Sequence, residues 1–173
     1  MVKNGTLEEL LVACHSLENL TLCVTDQCYS MMTRCCRQNK QTLKVLYLQF
    51  DERYPKLNSD IIQHVVFSCS ELKEVSIIAG IVQKDIISYL VNNLSPNVEK
   101  LHLEIRDITD EHVKALVKRC NKLNELILEK EFITNKSVTN IKEHLPNLKK
   151  LMFFKSYLML EKKKNLKYTK IIF

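Results

Sequence analysis

One short apolar pattern recurs along the chain at nearly constant spacing. Written apolar-x-x-apolar-x-apolar, it occurs at Leu17/Leu20/Leu22, Leu43/Leu46/Leu48, Leu72/Val75/Ile77, Val98/Leu101/Leu103, Leu123/Leu126/Leu128 and Leu148/Leu151/Phe153. Successive copies begin 26, 29, 26, 25 and 25 residues apart. A fixed period in this range marks repeat architectures in which each unit buries its apolar face only by stacking on a neighbour.

Between these clusters the apolar period changes to i, i+3, i+4, i+7, which sets four residues on one helical face. The quartets are Leu7/Leu10/Leu11/Cys14, Cys28/Met31/Met32/Cys35, Ile62/Val65/Val66/Cys69, Ile87/Leu90/Val91/Leu94 and Val113/Leu116/Val117/Cys120, with a weaker Val138/Ile141/Leu145 that carries Lys142. Helix starts are marked by Thr109 as N-cap, with Asp110 and Glu111 in the first turn and Ile108 and Val113 spaced as a hydrophobic staple. Thr6 with Glu9, Ser59-Asp60, Lys84-Asp85 and Thr134-Asn135 recur at comparable places. The chain has only Gly5 and Gly80, so its helices must end through Asn, Pro or direct entry into the next strand rather than on glycine caps.

Each repeat therefore predicts a short strand, a connector and a helix of about three turns. The fold expected is α/β: a leucine-rich-repeat right-handed solenoid, a horseshoe arc of about six strand-helix repeats with a parallel sheet on its concave side. Strands are predicted near residues 17–22, 43–48, 72–77, 98–103, 123–128 and 148–153, within a repeat domain over 1–154 and followed by a tail over 155–173.

The stretches "DITDEHVKALVKRCNKLNELIL" (107–128) and "CHSLENLTLCVTD" (14–26) resemble the cysteine-containing subclass of leucine-rich repeats, with an Ile-Thr-Asp helix start, a Cys at the helix end and a following Leu-x-x-Leu-x-Leu strand. That subclass is typical of F-box/leucine-rich-repeat proteins, the substrate receptors of SCF-type ubiquitin ligases. The resemblance spans roughly residues 6–154 and implies a non-catalytic module that recognises a partner protein. Skp adaptor and cullin would be recruited only through an F-box, which has no counterpart in these residues; the expectation is either a piece of a longer receptor or a repeat-only scaffold or regulator. Departures from the pattern are Ser95 and Leu145 where the repeat would carry Cys, and "RQNKQT" (37–42) inserted between helix and strand in the second repeat.

Strand alternation sends the residue between the last two apolar positions to the face opposite the core. Thr21, Tyr47, Ser76, His102, Ile127 and Met152 are thereby predicted to line the concave face, with Asn19, Val45, Glu74, Lys100, Glu125 and Lys150 two residues earlier. Aromatic and Met side chains are enriched at interface cores, so this strip is the candidate partner-binding surface. The long connector "QFDERYPKLNSD" adds Asp51, Glu52, Arg53 and Tyr54 as a second candidate contact, since recognition residues concentrate on loops.

The cysteines at 14, 23, 28, 35, 36, 69 and 120 are odd in number and without a C-x-x-C pair, so reduced thiols are expected, not a disulfide framework or a zinc site. Cys14, Cys35, Cys69 and Cys120 close their apolar quartets and read as core residues; Cys23, Cys28 and Cys36 are less constrained. With no phosphate-binding loop, nucleophile motif or clustered metal ligands, neither enzymatic activity nor a cofactor is expected. The net charge is +6, of which +5 comes from the six Lys and Glu161 of residues 155–173, leaving the body nearly neutral. The tail is expected to cap the last repeat, and contact with nucleic acid or anionic lipid is the lesser expectation. No apolar run is long enough for a signal peptide or a membrane span, and a soluble protein of the cytoplasm or nucleus is anticipated.

Overall fold

The computed structural model describes residues 13–25, 28–50, 68–80, 82, 84–129, 131–154 and 168–172. Strands alternate with helices along the chain: β1 (Asn19–Val24), α1 (Tyr29–Gln38), β2 (Val45–Phe50), β3 (Glu74–Ala79), α2 (Lys84–Asn93), β4 (Lys100–Ile105), α3 (Asp110–Arg119), β5 (Glu125–Glu129), α4 (Asn135–His144), β6 (Lys150–Phe154) and β7 (Tyr168–Ile172). Their order in the single sheet is their order in the chain. The first six strands are parallel, and β7, within the tail, runs antiparallel to β6. Helices expected around Leu7–Leu11 and Ile62–Val66, and the connector bearing Asp51, Glu52, Arg53 and Tyr54, lie outside the described residues.

Register follows from the leucines. Leu20, Leu46, Val75, Leu101, Leu126 and Leu151 stand opposite one another across five junctions, and the row Leu22, Leu48, Ile77, Leu103, Leu128 and Phe153 does the same. A one-residue slip anywhere would turn such a row out to solvent, which is why the 29-residue spacing between the second and third repeats leaves the register intact. The rows join the inward residues of the helices, including Met32, Ile87, Leu90, Val113, Leu116 and Ile141, in one buried cluster.

Each strand begins two residues later than the apolar pattern predicts. Leu43, Leu72, Val98, Leu123 and Leu148 are buried, but they sit in the turn that carries the chain from helix to sheet. There the N–H of Leu72, Val98, Leu123 and Leu148 donates to the carbonyl three residues back, and Leu43 donates to that of Asn39, four back. Burial is the same in turn and strand, so hydrophobicity alone could not separate them. The strands run on correspondingly, and Val24, Phe50, Ala79 and Ile105 add a third inward row.

The junctions share one hydrogen-bond device. The carbonyls of Glu18, Lys44, Lys73, Glu99 and Asn124 each accept two consecutive N–H groups from the start of the next strand. A second device lies at the helix ends, where terminal carbonyls lack helical partners. Cys69 Sγ donates to the Cys36 carbonyl (3.6 Å), Ser95 Oγ to that of Ser70 (3.1 Å), and Cys120 Sγ to that of Ser95 (3.6 Å). In the second repeat the position belongs to Asn39, whose Nδ2 reaches the carbonyls of Cys14 and Cys35, both at 2.9 Å, while Oδ1 accepts from the Leu17 N–H at 2.8 Å. What reads as a Cys column is thus a column of small donors, and "RQNKQT" supplies its member instead of merely lengthening the repeat.

Thr109 and Thr134 are the N-caps of α3 and α4. At α3 the return bond of the capping box is made by His112, whose Nδ1 accepts from the Thr109 N–H at 3.2 Å. Asp110 then braces α4: it accepts from Ser137 Oγ and Thr134 Oγ1, both at 2.5 Å, and from the Thr134 N–H at 2.9 Å. Burial alone would raise its carboxyl; these bonds outweigh it and hold the carboxyl below its usual range. Ser137 accordingly replaces an apolar residue as the buried start of α4, with Val138 partly buried and Lys142 exposed.

Candidate functional site

The face of the sheet away from the core consists of three rows set by the register. The first holds Asn19, Val45, Glu74, Lys100, Glu125 and Lys150; the second, Thr21, Tyr47, Ser76, His102, Ile127 and Met152. All twelve residues expected on the concave face, the candidate contacts Thr21, Tyr47, Glu74, Ser76, Lys100, His102, Glu125, Ile127 and Met152 among them, lie in these two rows. The third row, Cys23, Gln49, Ile78, Glu104, Glu129 and Phe154, arises where the strands run past the last apolar position, by two residues in β1 to β4 and one in β5 and β6, and goes unread in the apolar pattern. Its signal is the alternation carried past the last leucine, as in Leu103-Glu104-Ile105.

A shallow cleft of about 250 Å³ crosses β2 to β5 on this face, with Tyr47, Ser76, His102 and Ile127 along it and Glu74, Lys100 and Glu125 at its edge. Thr21 and Met152 occupy the same row but not the cleft. Along the first row, charge alternates and is paired across strands: Lys100 to Glu74 and Lys150 to Glu125, both at 2.5 Å. These pairs are half-exposed, so they set an alternating pattern on the surface more than they stabilise the fold.

His102 sits at the centre. Its Nδ1 is 3.3 Å from Ser76 Oγ, and its ring meets that of Phe154 edge-on, centroids 5.7 Å apart at 76°. Burial, then the neighbouring Lys150, lowers its pKa, so the imidazole is neutral at pH 7 and can both give and accept a hydrogen bond. With Tyr47 and Ile127 in the same cleft, the second row combines apolar surface with the polar Ser76–His102 pair, a composition suited to holding a partner's side chain.

In the third row Glu129 is 2% exposed and its Oε1 has no hydrogen-bond partner. Burial first, then the charge of Glu104, raises its carboxyl to about 7, with Glu131 and Asp107 acting in the same direction and Arg106 against it. A buried carboxyl without compensation is costly to the fold, and such groups concentrate at functional sites.

The thiols behave as packing groups. Cys35, Cys36, Cys69 and Cys120 are buried, and burial pushes the Cys120 thiol up to about 12. Cys36, which the apolar pattern leaves less constrained, has no exposed surface, because the buried side of α1 also takes in Cys36. Its contact with the Cys69 thiol, together with burial, raises its pKa. Cys23 is exposed and Cys28 partly so. A second Ser/His contact, Ser88 Oγ to His112 Nε2 at 3.1 Å, has the wrong polarity for activating a serine. The Thr109 N–H occupies Nδ1, so Nε2 of the neutral ring carries the proton and donates to Ser88.

Among the described residues no group of three or more His, Cys, Asp or Glu is placed to hold a metal ion, and no helix is long and apolar enough to cross a membrane. Neither a family model nor any curated protein matches the chain.

Proposed function

We propose that the chain is a non-catalytic protein-interaction module, a leucine-rich-repeat solenoid of the cysteine-containing kind that binds a partner protein on the open face of its sheet. The observation that carries the proposal is the cleft across β2 to β5, where Tyr47, Ser76, His102 and Ile127 converge on one patch bordered by Glu74, Lys100 and Glu125. Aromatic and apolar anchors ringed by charged groups are the anatomy of an interface core and rim. Support for the solenoid comes from the five repeated junctions, each with the same pair of N–H bonds to one carbonyl, and from the small-donor column at the helix ends.

By its resemblance, the module serves as the substrate-recognition part of an SCF-type ubiquitin ligase receptor in the cytoplasm or nucleus, with Skp adaptor and cullin engaged through an F-box elsewhere in the receptor. Affinity purification of the full-length product with partner identification tests this assignment. Recovery of Skp adaptor and cullin supports it, and their absence leaves a stand-alone scaffold. Changing Tyr47 and His102 together to Ala tests the surface itself. Affinity for the purified partner should fall about tenfold or more, as for truncation of interface anchors. A change within twofold would place the binding surface elsewhere.

A further inference from the structure

The two ends of the open face differ in how deeply they hold a carboxylate. At the start of the strands every described carboxylate in the row has a lysine against it: Glu74 with Lys100 and Glu125 with Lys150. At the other end, Glu104 and Glu129 stand in one row on adjacent strands, and the turns beyond bring Asp107 and Glu131 within electrostatic reach of Glu129. Of the described charged groups acting on Glu129, Arg106 alone is positive, and its Nε lies 3.8 Å from Glu131. The acids alone would be a solvated cluster. Glu129 is different, being 2% exposed with Oε1 unpartnered among them.

An isolated fold gains nothing from a buried carboxyl held beside other acids, since Arg106 offsets only part of its desolvation. The arrangement makes sense if the missing donor comes from outside. A metal ion is not favoured, because among the described residues no three His, Cys, Asp or Glu are placed to share one. An ammonium or guanidinium on a flexible apolar stem does: the stem can pass Ile127 and Phe154 while the head supplies N–H donors to the carboxylate.

We infer that the Glu104–Glu129 end of the open face receives an arginine or lysine side chain from the partner protein, which lies along the strands with an apolar residue in the adjoining cleft. The inference rests on the proposed function and adds the partner's chemistry. The acid row lies one pleat, two residues, beyond the His102–Ile127 row, so a partner in extended conformation places the basic residue two positions from the apolar one, at roughly 6.5 Å.

The test uses surface-bound heptapeptides in a serine background, Leu at the third position and each amino acid or citrulline at the fifth, with a second set in reversed order, probed with the full chain at pH 7.5. Arg or Lys at the varied position should raise retention about tenfold over citrulline, as for one charge-assisted hydrogen bond. With Glu129→Gln that ratio should collapse towards one while the melting temperature is not lowered, which separates recognition from misfolding. Equal retention of Arg and citrulline, an unchanged ratio in Glu129→Gln, or no retained peptide in either set would overturn the inference. Loss of selectivity at the varied position, with Leu selection still dependent on Tyr47 and His102, would leave the cleft standing and remove only the basic subsite. Basic selection that survived Tyr47→Ala/His102→Ala would do the reverse.

Discussion

Asn39 and Glu129 are equally hidden from solvent, at 1% and 2% exposed, and are opposites in every other respect. The Asn39 side chain has both its donor and acceptor atoms engaged, to Cys14, Cys35 and Leu17, and so joins the first repeat to the second. Glu129 has a buried oxygen with no partner and like charges around it. Burial by itself therefore says little about purpose. The state of a buried polar group's hydrogen bonds distinguishes a residue that holds the fold from one the fold tolerates at a cost.

That contrast is open to attack from both sides, and the larger effect belongs to Asn39. Replacing it with Ala strands the Leu17 N–H and the Cys14 carbonyl in a partly buried junction, at about 1–3 kcal/mol for each group left unsatisfied. Asn39→Ala should therefore destabilise the chain by roughly 3–4 kcal/mol in urea unfolding. A loss below about 1 kcal/mol would mean that water replaces the side chain and that the junction rests on the leucine rows alone.

Glu129→Gln should act in the opposite direction, and only in one pH window. The folded carboxyl is raised from 4.5 to about 7. Between those values the folded state keeps a proton that the unfolded chain has released, so wild-type stability falls as pH rises through the window. Below 4.5 both states are protonated and no penalty exists; above about 7 the penalty is complete. Gln carries no such charge, so its advantage over wild type should grow from pH 4.5 to 7 and level off at up to roughly 3 kcal/mol, about 1.4 for each pH unit. Melting curves of the two proteins at pH 5, 6, 7 and 8 decide this: a constant difference across the series would show that Glu129 does not titrate with folding.

The same contrast explains what could be read from the chain. Rows of leucines and helical quartets are legible because burial imposes a period, and period survives in the sequence; that gave the sheet, its register and the two outer rows through His102 and Ile127. Strand starts are less legible, and the apolar pattern sets them two residues early, because Leu43 or Leu123 is as buried in a turn as it would be in a strand. The burial of Glu129 is not legible. That burial, beside the likewise buried Phe154 on the adjacent strand, belongs to the packing of distant segments and leaves no period in the sequence. Asn39 was visible only as part of an insertion, since its role lies in partners 22 and 25 residues away.

The smallest effect, and the sharpest test of what the helix-end column requires, is at Cys120. Its side chain could be selected for volume, as a small apolar group, or for its S–H, which reaches the Ser95 carbonyl at 3.6 Å. Ser95 fills the equivalent place one repeat earlier and makes the corresponding bond at 3.1 Å. If the donor matters, Cys120→Ser should stay within about 0.5 kcal/mol of wild type, whereas Cys120→Ala, which leaves the Ser95 carbonyl only its bond from the Val98 N–H and opens a small void, should cost about 1–2 kcal/mol. Equal losses for Ser and Ala would assign the position to packing, and Ser95 would then be an exception to be explained by its own surroundings. Unfolding free energies of the two variants, measured under reducing conditions to keep the other thiols free, separate the alternatives.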